Sequence, residues 1–191
     1  KSLSCFIWEK AEVVAANSES LRKLALKSCE KVDIKVIPNG VDTELFRPCE
    51  TSTKKLRVLC VSRLIRRKGI EYLIKAVRNM DLELTIIGTG RMIRKLKAMA
   101  GQNTHFKGAV DHSKLPGYYR KSDVFVLPSL NEGMSNAVLE AMASGLPVIL
   151  TNTGDAEKLV NGNGFLAAKK SAKDISAALN NYLENRQLVL E

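Results

Sequence analysis

The sequence is poor in aromatic residues and in histidine, and it lacks any long apolar run; each shortage narrows what the chain can do. Aromatics make up 5% of residues and no basic run is interleaved with them, so a base-stacking platform for single-stranded nucleic acid is poorly supported. No apolar stretch approaches the ~18–20 residues needed to cross a bilayer, and no signal-peptide pattern opens the chain. The cysteines, Cys5, Cys29, Cys49 and Cys60, form no CxxC pair and have no neighbouring histidine, which argues against a zinc site. Their wide spacing reads as reduced thiols in a cytoplasm. Nothing matches GxxxxGK[ST], which excludes a P-loop. His105 and His112 have no metal-like or triad-like neighbour in sequence and are assigned no role.

What is present is a globular composition with excess positive charge. The 191 residues suffice for one full domain with a piece of another. Hydrophobic residues at 45% and charged residues at 26% exclude disordered and fibrous classes. The chain does not open on Met and is read as a fragment. Thirty Lys and Arg against twenty acids leave a formal charge of +10, which favours an anionic partner: nucleic acid, acidic lipid or a phosphorylated small molecule.

From about residue 56, short apolar runs alternate with amphipathic ones. Strands are expected at 56–62, 82–88, 105–108, 124–128, 147–150 and 164–166, with helices at 70–77, 91–100, 114–121, 136–143 and 172–184. Such short apolar runs separated by helices belong to strands covered on both faces, and the right-handed crossover rule then gives an α/β, doubly wound, mostly parallel sheet. Ligands bind such sheets at the carboxyl ends of the strands, where Arg63, Gly88, Gly108, Pro128 and Thr151 fall. Residues 1–45 hold two strands and one helix, too little to cover themselves. They are read as the tail end of an amino-terminal domain plus an interdomain hinge at Pro38–Pro48, with residues 46–191 as the second domain. Trp8, Tyr182, Leu183 and the Tyr118-Tyr119 pair read as packing residues.

Three segments carry chemistry. Arg63 and the Arg66-Arg67-Lys68-Gly69 run lie between a strand end and a helix start, where cations oppose the helix dipole unless an anion joins them. A solvated basic turn is the alternative. Gly88-Thr89-Gly90 begins like a dinucleotide fingerprint, but Ile93 occupies the third glycine position, so a tight strand-to-helix turn is the better reading. In the third, Glu132 precedes a helix that Ser135 can cap, and Glu140 lies inside it, outside the buried stripe expected from Val138, Leu139, Met142 and Ala143. Free amides between the two acids suit a phosphate, and each carboxylate can accept from hydroxyls. A sugar nucleotide has that order of groups. Two ordinary surface glutamates are the alternative.

In these segments the sequence resembles the donor-binding half of a retaining glycosyltransferase of family four, with GT-B architecture. The matching stretches are Val36-Ile37-Pro38-Asn39-Gly40-Val41-Asp42, Arg63 with Lys68-Gly69, Gly88-Thr89-Gly90, Phe106-Lys107-Gly108 and Pro128-Ser129. The last is the Glu132-x7-Glu140 segment followed by Ala141-Met142-Ala143-Ser144-Gly145-Leu146-Pro147-Val148. The resemblance implies a Rossmann-like carboxyl-terminal domain that binds a nucleoside diphosphate sugar and needs no metal or other cofactor. It implies Arg63 and Lys68 on the diphosphate and Glu132, the catalytic candidate, on the transferred sugar. The amides of Gly133, Met134, Ser135 and Asn136 fall on phosphate and sugar, Glu140 on the ribose, Val110 beside the base, and Gly88 along the donor. One departure is Asp155 after Gly154, where the family often has a second glycine; either its carboxylate points away from the diphosphate or the donor contacts differ there.

The chain is therefore expected to be a hexosyltransferase fragment, inactive alone, whose partners are a nucleoside diphosphate sugar and the missing amino-terminal domain. No nucleic-acid partner is expected, and the location is cytoplasmic, peripheral to the inner face of a membrane if the acceptor is a lipid. The alternatives are a nucleotide-sugar epimerase of the same architecture and a non-catalytic basic Rossmann-like domain that binds nucleic acid.

Overall fold

A computed structural model describes residues 3–49 and 55–186. The amino-terminal segment contains α1 (Leu3–Lys10), β1 (Val14–Ala16), α2 (Glu19–Leu26) and β2 (Ile34–Val36), with β1 and β2 paired in parallel. Helix α1 is absent from the reading of the sequence. It leaves Leu3, Phe6 and Ile7 exposed, and Val13, Leu24 and Ile37 are exposed on the neighbouring elements. Ser18 caps α2 by accepting from the Leu21 amide, as polar N-caps do.

Cys5 and Cys29 are joined in a disulfide with their Cα atoms 5.3 Å apart, which corrects the reading of all the cysteines as thiols. Spacing along the chain cannot register this pairing, because the turn of α1 against the end of α2 creates it. Cys60 is a buried thiol whose pKa burial pushes up to about 12.

The remainder is a six-stranded sheet, parallel at every described pair, in the order β5-β4-β3-β6-β7-β8. Its strands are β3 (Leu56–Val61), β4 (Leu82–Ile87), β5 (Thr104–Gly108), β6 (Val124–Leu127), β7 (Val148–Thr151) and β8 (Gly164–Ala167). The helices are α3 (Ile70–Val77), α4 (Ile93–Met99), α5 (Leu115–Tyr119), α6 (Asn136–Ala143), α7 (Ala156–Leu159) and α8 (Ala172–Glu184). Alternate strand residues face opposite layers. Val124 and Val126 pack with Leu73, Ile74, Ile175 and Leu179 of α3 and α8. Phe125 and Leu127 pack with Tyr119, Val138 and Ala141 of α5 and α6, and Phe46 joins that layer. This two-sided cover is why the runs read as continuously apolar rather than alternating.

Strand β3 lies between β4 and β6, so the chain grows outward to one edge through β4 and β5 and to the other through β6, β7 and β8. The connections leave β3 and β6 on opposite sides of the sheet, which opens a crevice at their carboxyl ends. No helix among the described residues is long and apolar enough to cross a membrane.

Candidate active site

A cleft of about 630 Å³ lies at that switch point. Nine of the ten site residues that the resemblance assigns line it: Arg63, Lys68, Gly88, Val110, Glu132, Met134, Ser135, Asn136 and Glu140. Gly133 does not; it borders a smaller cavity beneath the loop and faces the amino-terminal segment. Gly88 follows the last residue of β4 at φ 128°, and a Cβ there would meet the Ser62 carbonyl oxygen at 2.0 Å. Only glycine lets the wall of the cleft turn so close to β3.

A short 3-10 turn over Arg66–Lys68 carries the basic run, and Gly69, left-handed at φ 62°, passes it into α3. The turn buries the Lys68 side chain, whose ammonium ion-pairs with Glu132 Oε2. Ser129 Oγ donates to the same oxygen at 3.0 Å. Lys68 thus holds Glu132, while Arg63 is exposed at the cleft and has no ion-pair partner among the described residues.

Helix α6 brings its amino end to the cleft between the two acids. Ser135 occupies the N-cap position, but its side chain makes no capping bond, contrary to the expectation from the sequence. The buried face of α6 is Val138, Glu140 and Ala141, with Leu139, Met142 and Ala143 only half buried, so Glu140 is not outside the stripe. The carboxylate tolerates this because it is partnered. Tyr119 Oη donates to Glu140 Oε2 at 2.8 Å, and His112 Nε2 lies 3.3 Å from Glu140 Oε1. Burial, reinforced by the Glu140 charge, pushes the Tyr119 phenol far above its ordinary value and keeps it a donor. Sequence reading missed both partners, setting His112 aside and counting Tyr119 as packing alone. Separations of 21 and 28 residues leave no local signal.

The amino-terminal segment closes over the loop between the acids. Asn17 and Asn39 each donate to the Met134 carbonyl at 3.2 Å, and Asn39 also donates to Asn136 Oδ1 at 2.7 Å. A Cβ on Gly133 would lie 2.5 Å from Leu21 Cδ1, so glycine permits this approach. Asp155 accepts from the Glu19 and Ser20 amides at 3.2 and 3.3 Å, which turns its carboxylate toward α2 and away from the cleft. Among the described residues, one cluster could ligate a metal, Cys5, Glu9 and Cys29; its residues are not among those lining the cleft, and both its sulfurs are in the disulfide.

The sheet order, the crevice at its switch point and the paired acids define a Rossmann-like α/β domain of the GT-B kind. Residues 55–185 match the family described as glycosyl transferases group 1, and the chain belongs to that family. It is 31% identical over 182 residues to the GDP-mannose-dependent alpha-(1-6)-phosphatidylinositol monomannoside mannosyltransferase of Mycobacterium tuberculosis, a match covering 80% of this chain and 47% of that protein. It is 30% identical over 177 residues to the amylovoran biosynthesis glycosyltransferase AmsK of Erwinia amylovora, covering 82% of this chain and 44% of that protein. Sucrose-phosphate synthase from Thermosynechococcus elongatus superimposes with a TM-score of 0.86 at 27% identity, over 97% of this chain and 52% of that one. Anabaena HepE in complex with UDP-glucose has the same fold, with a TM-score of 0.87 at 23% identity, over 98% of this chain and 58% of that one. The chain spans about half the length of the curated relatives it matches.

Proposed function

We propose that this chain is the nucleotide-sugar half of a retaining glycosyltransferase that moves a hexose from a nucleoside diphosphate donor to an acceptor. The observation that carries the reading is the order of groups along one cleft: Lys68 with Glu132, the amino end of α6, then Glu140. That order matches a donor laid out as sugar, diphosphate and ribose. Glu132 accepts from sugar hydroxyls. Arg63, Lys68 and the amides from Met134 to Asn136 meet the diphosphate, whereas Gly133, assigned there by the resemblance, faces the amino-terminal segment instead. Glu140 accepts from the ribose hydroxyls, and the backbone at Val110 lies beside the base, with Gly88 along the donor.

As the glycosidic bond breaks, negative charge grows on the departing diphosphate. Fixed cations and the end of α6 stabilise it without a metal, because oriented dipoles in a sheltered site need no reorganisation. Attack from the face that the diphosphate leaves gives retention. The GDP-mannose-dependent relative supports a nucleoside diphosphate hexose as donor. In this reading the amino-terminal segment ends a second domain that supplies the acceptor site, and the exposed Leu3, Phe6 and Ile7 are what that domain covers. The chain alone then binds donor but transfers nothing at a useful rate, since positioning of both substrates is lost.

A thermal-shift panel with UDP, GDP, ADP and CDP tests the reading. Ligand at ~100 times its dissociation constant should stabilise the chain by about 2.7 kcal/mol. Failure of all four to shift the midpoint, or robust transfer to a defined acceptor by residues 1–191 alone, would refute it.

A further inference from the structure

Glu140 is gripped from two sides by residues that are not among those lining the cleft. Tyr119 is fully buried, and its hydroxyl reaches Oε2 at 2.8 Å. His112 Nε2 lies 3.3 Å from Oε1. An ionised carboxylate can only accept, so the ring nitrogen is the donor in that contact. Each oxygen therefore has one protein donor and lone-pair capacity left over, and Glu140 lines the cleft. Two oxygens so placed suit two neighbouring hydroxyls.

The grip is itself supported. Phe46 is buried and packs in T-shaped contact with both rings, its centroid 5.4 Å from that of His112 and 5.5 Å from that of Tyr119. It arrives from the linker between β2 and β3, so three parts of the chain converge on one carboxylate. A glutamate held this way does not lose further rotamer freedom when a ligand arrives.

We propose that Tyr119 and His112 are positioning residues that preorganise Glu140 as a two-oxygen acceptor for the ribose diol, and that they thereby set discrimination between ribonucleotides and 2′-deoxyribonucleotides. The inference rests on the reading of Glu140 as the ribose-binding acid. A residue that only stabilises the fold would weaken both nucleotides alike, whereas a positioning residue changes their ratio.

Isothermal titration of the chain with UDP and GDP and with their 2′-deoxy forms provides the test. Loss of one hydrogen bond to a charged group predicts a ribo-over-deoxy preference of roughly tenfold or more for the wild type. Tyr119→Phe and His112→Ala should each cut that ratio at least about threefold, a partial loss of the same bond. Glu140→Gln should bring it close to one. The His112 side chain is 62% exposed, so His112→Ala is expected to fold and decides the matter if Tyr119→Phe does not. A wild-type ratio retained in His112→Ala overturns the inference and leaves the donor site standing. No preference in the wild type, or no nucleotide binding at all, overturns the role of Glu140 and this inference with it.

Discussion

The Asp155 carboxylate accepts the backbone N–H of Ser20 at 3.3 Å, across 135 residues of chain. With the matching bond from Glu19 it satisfies two of the open amides that begin α2 and places a negative charge at the positive end of that helix. A carboxylate that looked, in sequence, like a hazard to a bound diphosphate is a tie between the amino-terminal segment and the sheet.

Replacing Asp155 with Ala should loosen that tie. The expected cost is about 1 kcal/mol, the usual value of a helix cap, lowered by partial exposure of the contact. Hydrogen exchange should accelerate across residues 19–26, while nucleoside diphosphate affinity changes little. Unchanged exchange in α2 would show that the contact contributes nothing, and a large gain in affinity would mean that the carboxylate does repel the ligand.

Arg63 and Lys68 replaced together by Ala should weaken diphosphate binding far more than nucleoside binding. Charge-assisted hydrogen bonds are worth roughly 1.5–3 kcal/mol each when sheltered, and the exposed Arg63 belongs at the low end. Lys68→Ala alone also removes the ion-pair partner of Glu132 and leaves Ser129 as its donor, so part of its effect would be transmitted through the acid. Equal losses for nucleoside and nucleoside diphosphate would place these cations away from the phosphates.

The two acids should separate by ligand. Glu140→Gln is expected to weaken both the nucleoside diphosphate and its sugar conjugate, because both carry the ribose. Glu132→Gln should spare the nucleoside diphosphate and, if this chain is half of a longer transferase as proposed, lower the kcat of that enzyme, since contacts that tighten on the sugar in the transition state emerge in the rate. Titration of both ligands against both variants reads the difference. Changes within about 0.5 kcal/mol throughout, the range of ordinary surface substitutions, would remove both from the site.

Gly88→Ala should destabilise the domain by roughly 2–4 kcal/mol, combining left-handed strain with an overpacked contact. The clash is with the backbone oxygen of Ser62, which cannot rotate aside as a side chain would. A denaturation midpoint equal to that of the wild type would show that the strand end relaxes freely.

Much of this protein is written locally. Val124-Phe125-Val126-Leu127 declares a strand buried on both faces, because apolar groups on consecutive residues must point in opposite directions and both need cover. Arg63, Lys68, Gly88 and the Glu132–Glu140 segment could be placed at strand ends for the same reason: a parallel sheet delivers every carboxyl end to one edge. What tertiary structure alone decided are the meetings between distant segments. Tyr119 and His112 reach Glu140, Cys29 reaches Cys5, and Asp155 turns to α2 rather than to the cleft. Periodicity encodes which face of an element is apolar; which polar atom stands opposite a given carboxylate depends on how the layers pack, and that is set only when the whole chain has closed around its sheet.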